Sequence, residues 1–364
     1  MIMLTDKEII EKLVKLGIKV INDLKKGENP ALNIPLRSLS NVYYDENTGL
    51  IKLKDSFQER YYFNIGQSKK FMQTILIADR IKWLVEQNKT LSIRQLFYTL
   101  KHTIPGFKEN TFDTQDESDP IIEDIEVLID VLRENLNLFA SSKGVLAGPI
   151  TIIDSGDEID LSKLGSAGYG VPGIVEPDVV KFKDCNAEYI LVVEKDAVWA
   201  RLNEDKYWKK NNCLLLTGKG QPSRAERRIL KRMHTELKLP VYIFTDMDPW
   251  GYYIYSVYKQ GSINLAYFSE KSGVPKAKFL GFKMSDVKNY NMPQDSFIKM
   301  GEQDYKRLKE LSKYAWFQTK EWQKELKELK KFGNKIEQDA LVMKGIEFAA
   351  KEYLPTKIEN KDWI

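Results

Sequence analysis

Three acids and one tyrosine are the residues of this chain whose types and spacing could do chemistry. In "VYIFTDMDPWG" a run of β-formers, Val241, Tyr242, Ile243 and Phe244, ends in Asp246 and Asp248 before Pro249 and Gly251 break the pattern. Side chains two apart in extended backbone point the same way, so both carboxylates share one side. A second apolar run, "YILVVE", ends in Glu194. Ligands of an open parallel sheet sit beyond the carboxyl ends of its strands. Three carboxylates gathered there repel one another and raise each other's pKa unless a cation joins them. Magnesium suits the set, because it takes oxygen ligands and is commonly held by one or two carboxylates plus a substrate phosphate. The two histidines, His102 and His234, offer no competing ligand set. The structural alternative is that an acid here caps the helix that follows. That accounts for one of the pair and leaves the other, with Glu194, unexplained.

The tyrosine lies in "SIRQLFYTLKHT", residues 92–103. Ile93, Leu96, Phe97 and Leu100 follow the i, i+3, i+4, i+7 spacing of a buried helical stripe, and Tyr98 falls off it. Arg94, four residues earlier, shares its side of the helix, and Lys101 and His102 flank the same face. An arginine beside a phenol, whose ordinary pKa is about 10, favours the phenolate. Tyr98 is therefore a candidate nucleophile, set against the bland reading of one surface tyrosine among 18.

The elements that must position these groups can be read along the chain. Thr5 and Glu8 make a capping box opening a helix over 5–24. Helices are expected over 68–88 and 92–103, and a third from Asp119 with Pro120 in its first turn. "GVLAGPITIID" reads as a hairpin, and three helices with a hairpin make a winged-helix domain at residues 66–155. "GSAGYGVPG" (165–173) lacks the lysine and spacing of a P-loop and reads as a mobile connection or a ligand loop. Beyond it strands and helices alternate, with strands at 189–194, 213–218, 241–246 and 263–268, the pattern of a parallel α/β sheet. "GKGQPSR" is a strand-to-helix turn whose amides, with Lys219 and Arg224, suit a phosphate backbone. From Asp304 the chain reads as charged, solvated helices. The expected domains are 1–65, an N-terminal helix and extension; 66–155, winged helix; 156–185, connection; and 186–364, the metal-binding α/β domain with C-terminal helices.

Composition narrows the class. The 364 residues, 43% hydrophobic, can build cores and exclude a disordered chain. Lys plus Arg is 56 against 52 acids, a net charge of +4 that permits a polyanionic partner without demanding one. Cys185 and Cys213 match no metal spacing and suggest a reducing compartment. No apolar run reaches the ~20 residues of a membrane span, so a cytoplasmic protein is expected.

Taken together these residues resemble the type IIB topoisomerase A-subunit family, which includes the A subunit of archaeal DNA topoisomerase VI and the meiotic double-strand-break transesterase. The resemblance rests on "SIRQLFYTLKHT", on Glu194 with "DMDPWG" as a Toprim signature, and on "RSLSNVYYD", "GYGVPGIVE", "GKGQPSR" and "KIEQDAL", in order over nearly the whole chain. It implies that a winged-helix, catabolite-activator-like domain carries Tyr98 as the nucleophile that cuts duplex DNA and becomes joined to a 5′-phosphate, with Arg94 assisting. Glu194, Asp246 and Asp248 would bind magnesium in a Rossmann-like Toprim domain. The resemblance further implies a homodimer in which one chain's tyrosine meets the other's metal site. ATP would be used by a separate B-type subunit of an A2B2 assembly acting at the nucleoid. Two departures stand out: the family's tyrosine pair is Phe97–Tyr98 here, and the third helix is acidic (Asp119, Glu123, Asp124, Glu126, Asp130). A breaking-only transesterase, a Toprim nuclease and a DNA-binding scaffold use the same parts and remain open.

Overall fold

Thr5 and Glu8 each accept the other's main-chain N–H, closing the capping box that starts helix α1 (Asp6–Lys25). In the computed structural model, which describes residues 4–364, the chain divides into two units. The first comprises residues up to Val42 with Leu53–Ser141, and the second Tyr43–Lys52 with Ser142–Ile364. The division falls after Ser141 and assigns the hairpin 43–52 to the second unit, where the sequence suggests breaks at 65, 155 and 185.

In the first unit α1 is followed by α2 (Ser68–Glu86), α3 (Ile93–Leu100) and α4 (Gln115–Ile129). Their inward stripes, Ile77, Ile81 and Leu84 with Leu96, Phe97, Leu100, Ile121 and Ile125, form one core. Helix α4 begins four residues before Asp119, so Pro120 lies inside it instead of in its first turn. The acids of α4 have a structural use. An antiparallel ribbon, Ala31–Pro35 with Phe57–Tyr61, brings up Arg60, whose Nη2 meets Asp124 Oδ2 at 2.6 Å while Nη1 donates to Thr74 Oγ1. Arg37 adds Asp124 Oδ1 at 2.8 Å and the Glu123 carboxylate. The acidic helix is thus partly neutralised from within its own unit.

The second unit is built on a six-stranded sheet. Its strands are β1 (Val145–Ala147), β2 (Tyr169–Gly170), β3 (Tyr189–Val193), β4 (Cys213–Thr217), β5 (Val241–Phe244) and β6 (Lys278–Phe279), in the order β2-β1-β4-β3-β5-β6. Strands β4, β3, β5 and β6 run parallel, and β1 and β2 add an antiparallel edge. β3 and β4 are buried at every residue, the pattern of a sheet covered on both faces. The helices of this unit include α5 (Asp196–Glu204), α6 (Arg224–Glu236), α7 (Pro249–Gln260), α8 (Glu302–Leu311) and α9 (Lys320–Phe332).

Several expectations are corrected here. "GVLAGPITIID" is no hairpin: 145–147 joins the six-stranded sheet, while Ile150–Asp154 joins Asp157–Asp160 and Val180–Cys185 in a separate antiparallel sheet. The chain turns the corner at Gly148 (φ +141), where a Cβ would lie 2.8 Å from the Cys213 carbonyl. The segment 263–268 is a turn and a short 3-10 helix; the strand beside β5 is β6. Asn264 and Ala266 are poor strand formers, and Phe268 is buried beneath the Arg224 guanidinium, 4.4 Å from its ring centroid. The glycine-rich 165–173 supplies the edge strand β2, and Gly168 (φ +65) has no room for a Cβ beside Val145 and Trp199.

Truncating Asp124 to Ala leaves Arg60 buried without its carboxylate, which should cost about 3 kcal/mol or more of first-unit stability. Urea unfolding measures it; the exposed Glu11→Ala should stay within about 0.5 kcal/mol of the parent.

Candidate metal centre and nucleophile

β3 and β5 are neighbours in register, Val193 opposite Phe244, so the residues that follow them lie side by side. Glu194, Asp246 and Asp248 are 8%, 3% and 9% exposed. Each accepts one main-chain N–H: Glu194 Oε2 from Asp246 at 3.0 Å, Asp246 Oδ1 from Gln338 at 2.8 Å, and Asp248 Oδ1 from Gly251 at 2.6 Å. Asp248 is therefore the N-cap of α7, with Pro249 next, and the helix-capping alternative holds for that acid. Asp246 caps nothing of α7. Gly251 is required by close packing, since a Cβ there would sit 2.5 Å from the Asp246 carbonyl oxygen.

The electrostatics are those of a crowd. Burial, and then the negative charge of Asp246, push the Glu194 carboxyl above its ordinary range. Burial raises Asp246 as well, although the Gln338 N–H and Lys195 pull it back, and burial raises Asp248. Lys195 places its ammonium 3.2 Å from Asp246 Oδ2 and 3.6 Å from Glu337. Burial alone would lower its pKa, yet these carboxylates raise it. Among the described residues no three acidic, histidine or cysteine groups stand in a ready-made coordination arrangement. The residues nonetheless fit a hard cation: the donors are all oxygen, and burial together with neighbouring negative charge holds Glu194 and Asp246 above their normal pKa.

Tyr98 stands on the first unit, 60% exposed on α3. Ser92 and Gln95 close a reciprocal capping box at its start, and Leu96, Phe97 and Leu100 anchor its buried face. The Phe97 ring lies edge-on to Tyr98 at 5.0 Å. Arg94 is exposed one turn earlier; among the described residues no hydrogen bond joins the two. The helix ends at Leu100, not at 103. Lys101 and His102 follow it, tied down as Lys101 Nζ donates to the Asp113 carbonyl and His102 N–H to Thr111 Oγ1.

Of the two cations expected in "GKGQPSR", Lys219 is at the surface, at φ +51, paired with Asp196 at 3.2 Å. Arg224 is 4% exposed and stacked on Phe268, so its side chain is not presented as a surface charge. Sequence reasoning missed Lys195, adjacent to Glu194, and Gln338, within the quoted "KIEQDAL". Their roles depend on a pairing across the chain that no local pattern announces.

A parallel sheet with an acid after one strand and an Asp-x-Asp after its neighbour defines a Toprim-containing protein of mixed α/β, multidomain build. The profile describing the Toprim domain of topoisomerase 6 A subunits and Spo11 matches residues 189–358. "Type IIB DNA topoisomerase" matches 69–138, and the all-beta domain of the DNA topoisomerase VI alpha chain matches 143–186. The A subunit of type 2 DNA topoisomerase 6 from Pyrococcus abyssi is 49% identical over 97% of this chain and 94% of its own. The proteins of the same name from Hyperthermus butylicus and Methanocaldococcus jannaschii are 44% and 35% identical, over 95% and 97% of this chain and 93% and 95% of their own. The chain belongs to the topoisomerase VI A-subunit family. No helix among the described residues is long and apolar enough to cross a membrane.

An acid raised by folding holds its proton in the folded state after the unfolded chain has lost it. Stability in EDTA should therefore fall as pH rises from about 5 toward 8. Differential scanning calorimetry should show that fall, a smaller one for Glu194→Gln, and a rise in Tm on adding magnesium at neutral pH that Asp246→Asn lacks.

Proposed function

We propose that this chain cuts duplex DNA through Tyr98, with Glu194, Asp246 and Asp248 holding magnesium. The observation that carries the reading is the pairing of an exposed tyrosine on a rigid, capped helix with a buried oxygen-only acid cluster, in a chain of this family. The chain is the DNA-cleaving subunit of a type IIB DNA topoisomerase. Its relatives are named as A subunits, which supports a partner subunit; on this reading the ATPase belongs to that B-type partner, in an A2B2 assembly at the nucleoid.

In the reaction the Tyr98 phenolic oxygen gives up its proton and attacks the scissile phosphorus. A tyrosyl–phosphate bond forms to the 5′ side, and the 3′ oxygen leaves and takes up a proton. Because one phosphoester replaces another, the step reverses without an external energy source, and the break can be resealed. Arg94, one turn from Tyr98, stabilises negative charge on the phenol and phosphate. Bound magnesium supplies charge stabilisation for the phosphate and the leaving oxygen. Asp246 and Asp248 are held as ligands by their main-chain donors, and Lys195 balances the remaining charge.

Helices α2–α4 serve as a winged-helix module whose wing is not the 144–154 segment. Surface cations Lys101 and Lys219 and the exposed His102 are the candidate DNA contacts; Arg224 acts by packing instead. A homodimer in which the tyrosine of one chain serves the acids of the other accounts for cutting both strands.

End-labelled duplex, magnesium, an ATP analogue and a B-type partner, followed by detergent, should trap a covalent 5′ adduct. Tyr98→Phe should abolish it while Tyr43→Phe, also exposed, retains it. An undiminished adduct in Tyr98→Phe refutes the assignment, and cleavage without any adduct favours a Toprim nuclease.

A further inference from the structure

The acidic turn is held from the far end of the sequence. Met247 N–H donates to the Ile336 carbonyl at 2.9 Å, and Ile336 N–H returns the bond at 3.3 Å. Two residues on, Gln338 donates its main-chain N–H to Asp246 Oδ1 at 2.8 Å. Its side-chain Oε1 accepts the Lys195 N–H at 3.3 Å, and Lys195 directly follows Glu194. One glutamine, 1% exposed, thereby touches both strand ends that carry acids. Its amide orientation is fixed, because the flipped form would set an NH2 group against an N–H donor. The Lys195 ammonium lies between two carboxylates, Asp246 at 3.2 Å and Glu337 at 3.6 Å.

We propose that Gln338 is a positioning residue of the metal site. Its N–H occupies one oxygen of Asp246 and fixes the carboxylate, so that Oδ2 is the oxygen turned toward the ion. Its side chain fixes the strand end from which Glu194 projects. Lys195, which now pairs with Oδ2, keeps Glu337 as a carboxylate to stay on when the ion takes its place. The inference rests on the reading of Glu194, Asp246 and Asp248 as magnesium ligands. Groups that orient a ligand from behind typically change metal affinity about 10–100-fold when removed.

Two substitutions separate the parts. Gln338→Met keeps the volume and the N–H but loses the amide. Gln338→Pro also removes the N–H, at a position suited to proline: Gln338 is the first residue of a 3-10 helix, and Glu337 before it is extended (φ −84°, ψ 151°). Magnesium is titrated calorimetrically into the EDTA-stripped full chain. The expected result is affinity about tenfold weaker for Gln338→Met and weaker again for Gln338→Pro, with the melting temperature of Gln338→Met in EDTA unchanged. Parent-like affinity in Gln338→Met overturns the proposal, as does a loss that merely follows a lowered melting temperature. Equal affinities in the two variants overturn the main-chain half, and if Gln338→Pro does not fold, Gln338→Met decides alone. Asp246→Asn is the control for the underlying reading. Normal magnesium binding by that variant refutes the metal site itself, whereas its loss beside parent-like Gln338→Met refutes only the role of Gln338.

Discussion

Taking three carboxylates almost wholly out of water, at the ends of two adjacent strands, sets the terms for much of the second unit. Each ion so buried costs several kcal/mol unless it is paired and hydrogen-bonded. The fold answers with a main-chain N–H for each acid, two from the 246–251 turn and one from Gln338 far along the chain, and with the ammonium of Lys195. Those donors demand close backbone approach. Gly251 is bare because the Asp246 carbonyl lies where its Cβ would go, and the 335–338 stretch must lie beside Met247 to deliver the Gln338 N–H.

The first unit solves the opposite problem, keeping the Tyr98 side chain in water on a rigid support. Burial of Leu96, Phe97 and Leu100 and the capping box at Ser92 fix the eight residues of α3, so the exposed Tyr98 has a defined base. The acids of α4, which would repel a phosphate backbone if left bare, are partly engaged by Arg37 and Arg60. The exposed tyrosine and the buried acids therefore lie in different units.

Much of this was readable from local pattern. The parallel strands that lead into Glu194 and Asp246, the capping box at Thr5, and the off-stripe position of Tyr98 follow from periodicity and end signals. What failed depended on partners remote in sequence. The 144–154 stretch alternates and turns like a hairpin, but its two halves find strands in different sheets. Residues 263–268 have strand-like apolar content and instead bury Phe268 against an arginine of α6. Arg224 looked like a surface cation because its burial depends on that same contact. Lys195 and Gln338 escaped notice since lysine and glutamine carry no local sign of what they will touch.

The hairpin 43–52 belongs to the second unit although the first unit's residues lie on both sides of it in sequence. It is anchored there by Lys52 with Glu270, at 3.1 Å, and by the packing of Gly49 on Pro275 and of Leu50 on Gly273. As the chain leaves the ribosome, this early segment must wait for partners more than two hundred residues downstream, while 53–141 has its own unit's sequence complete. Contacts of such long sequence separation form late and slowly. The order of synthesis therefore favours the unit that carries Tyr98 first and leaves the hairpin as an unsatisfied strand pair until the sheet closes.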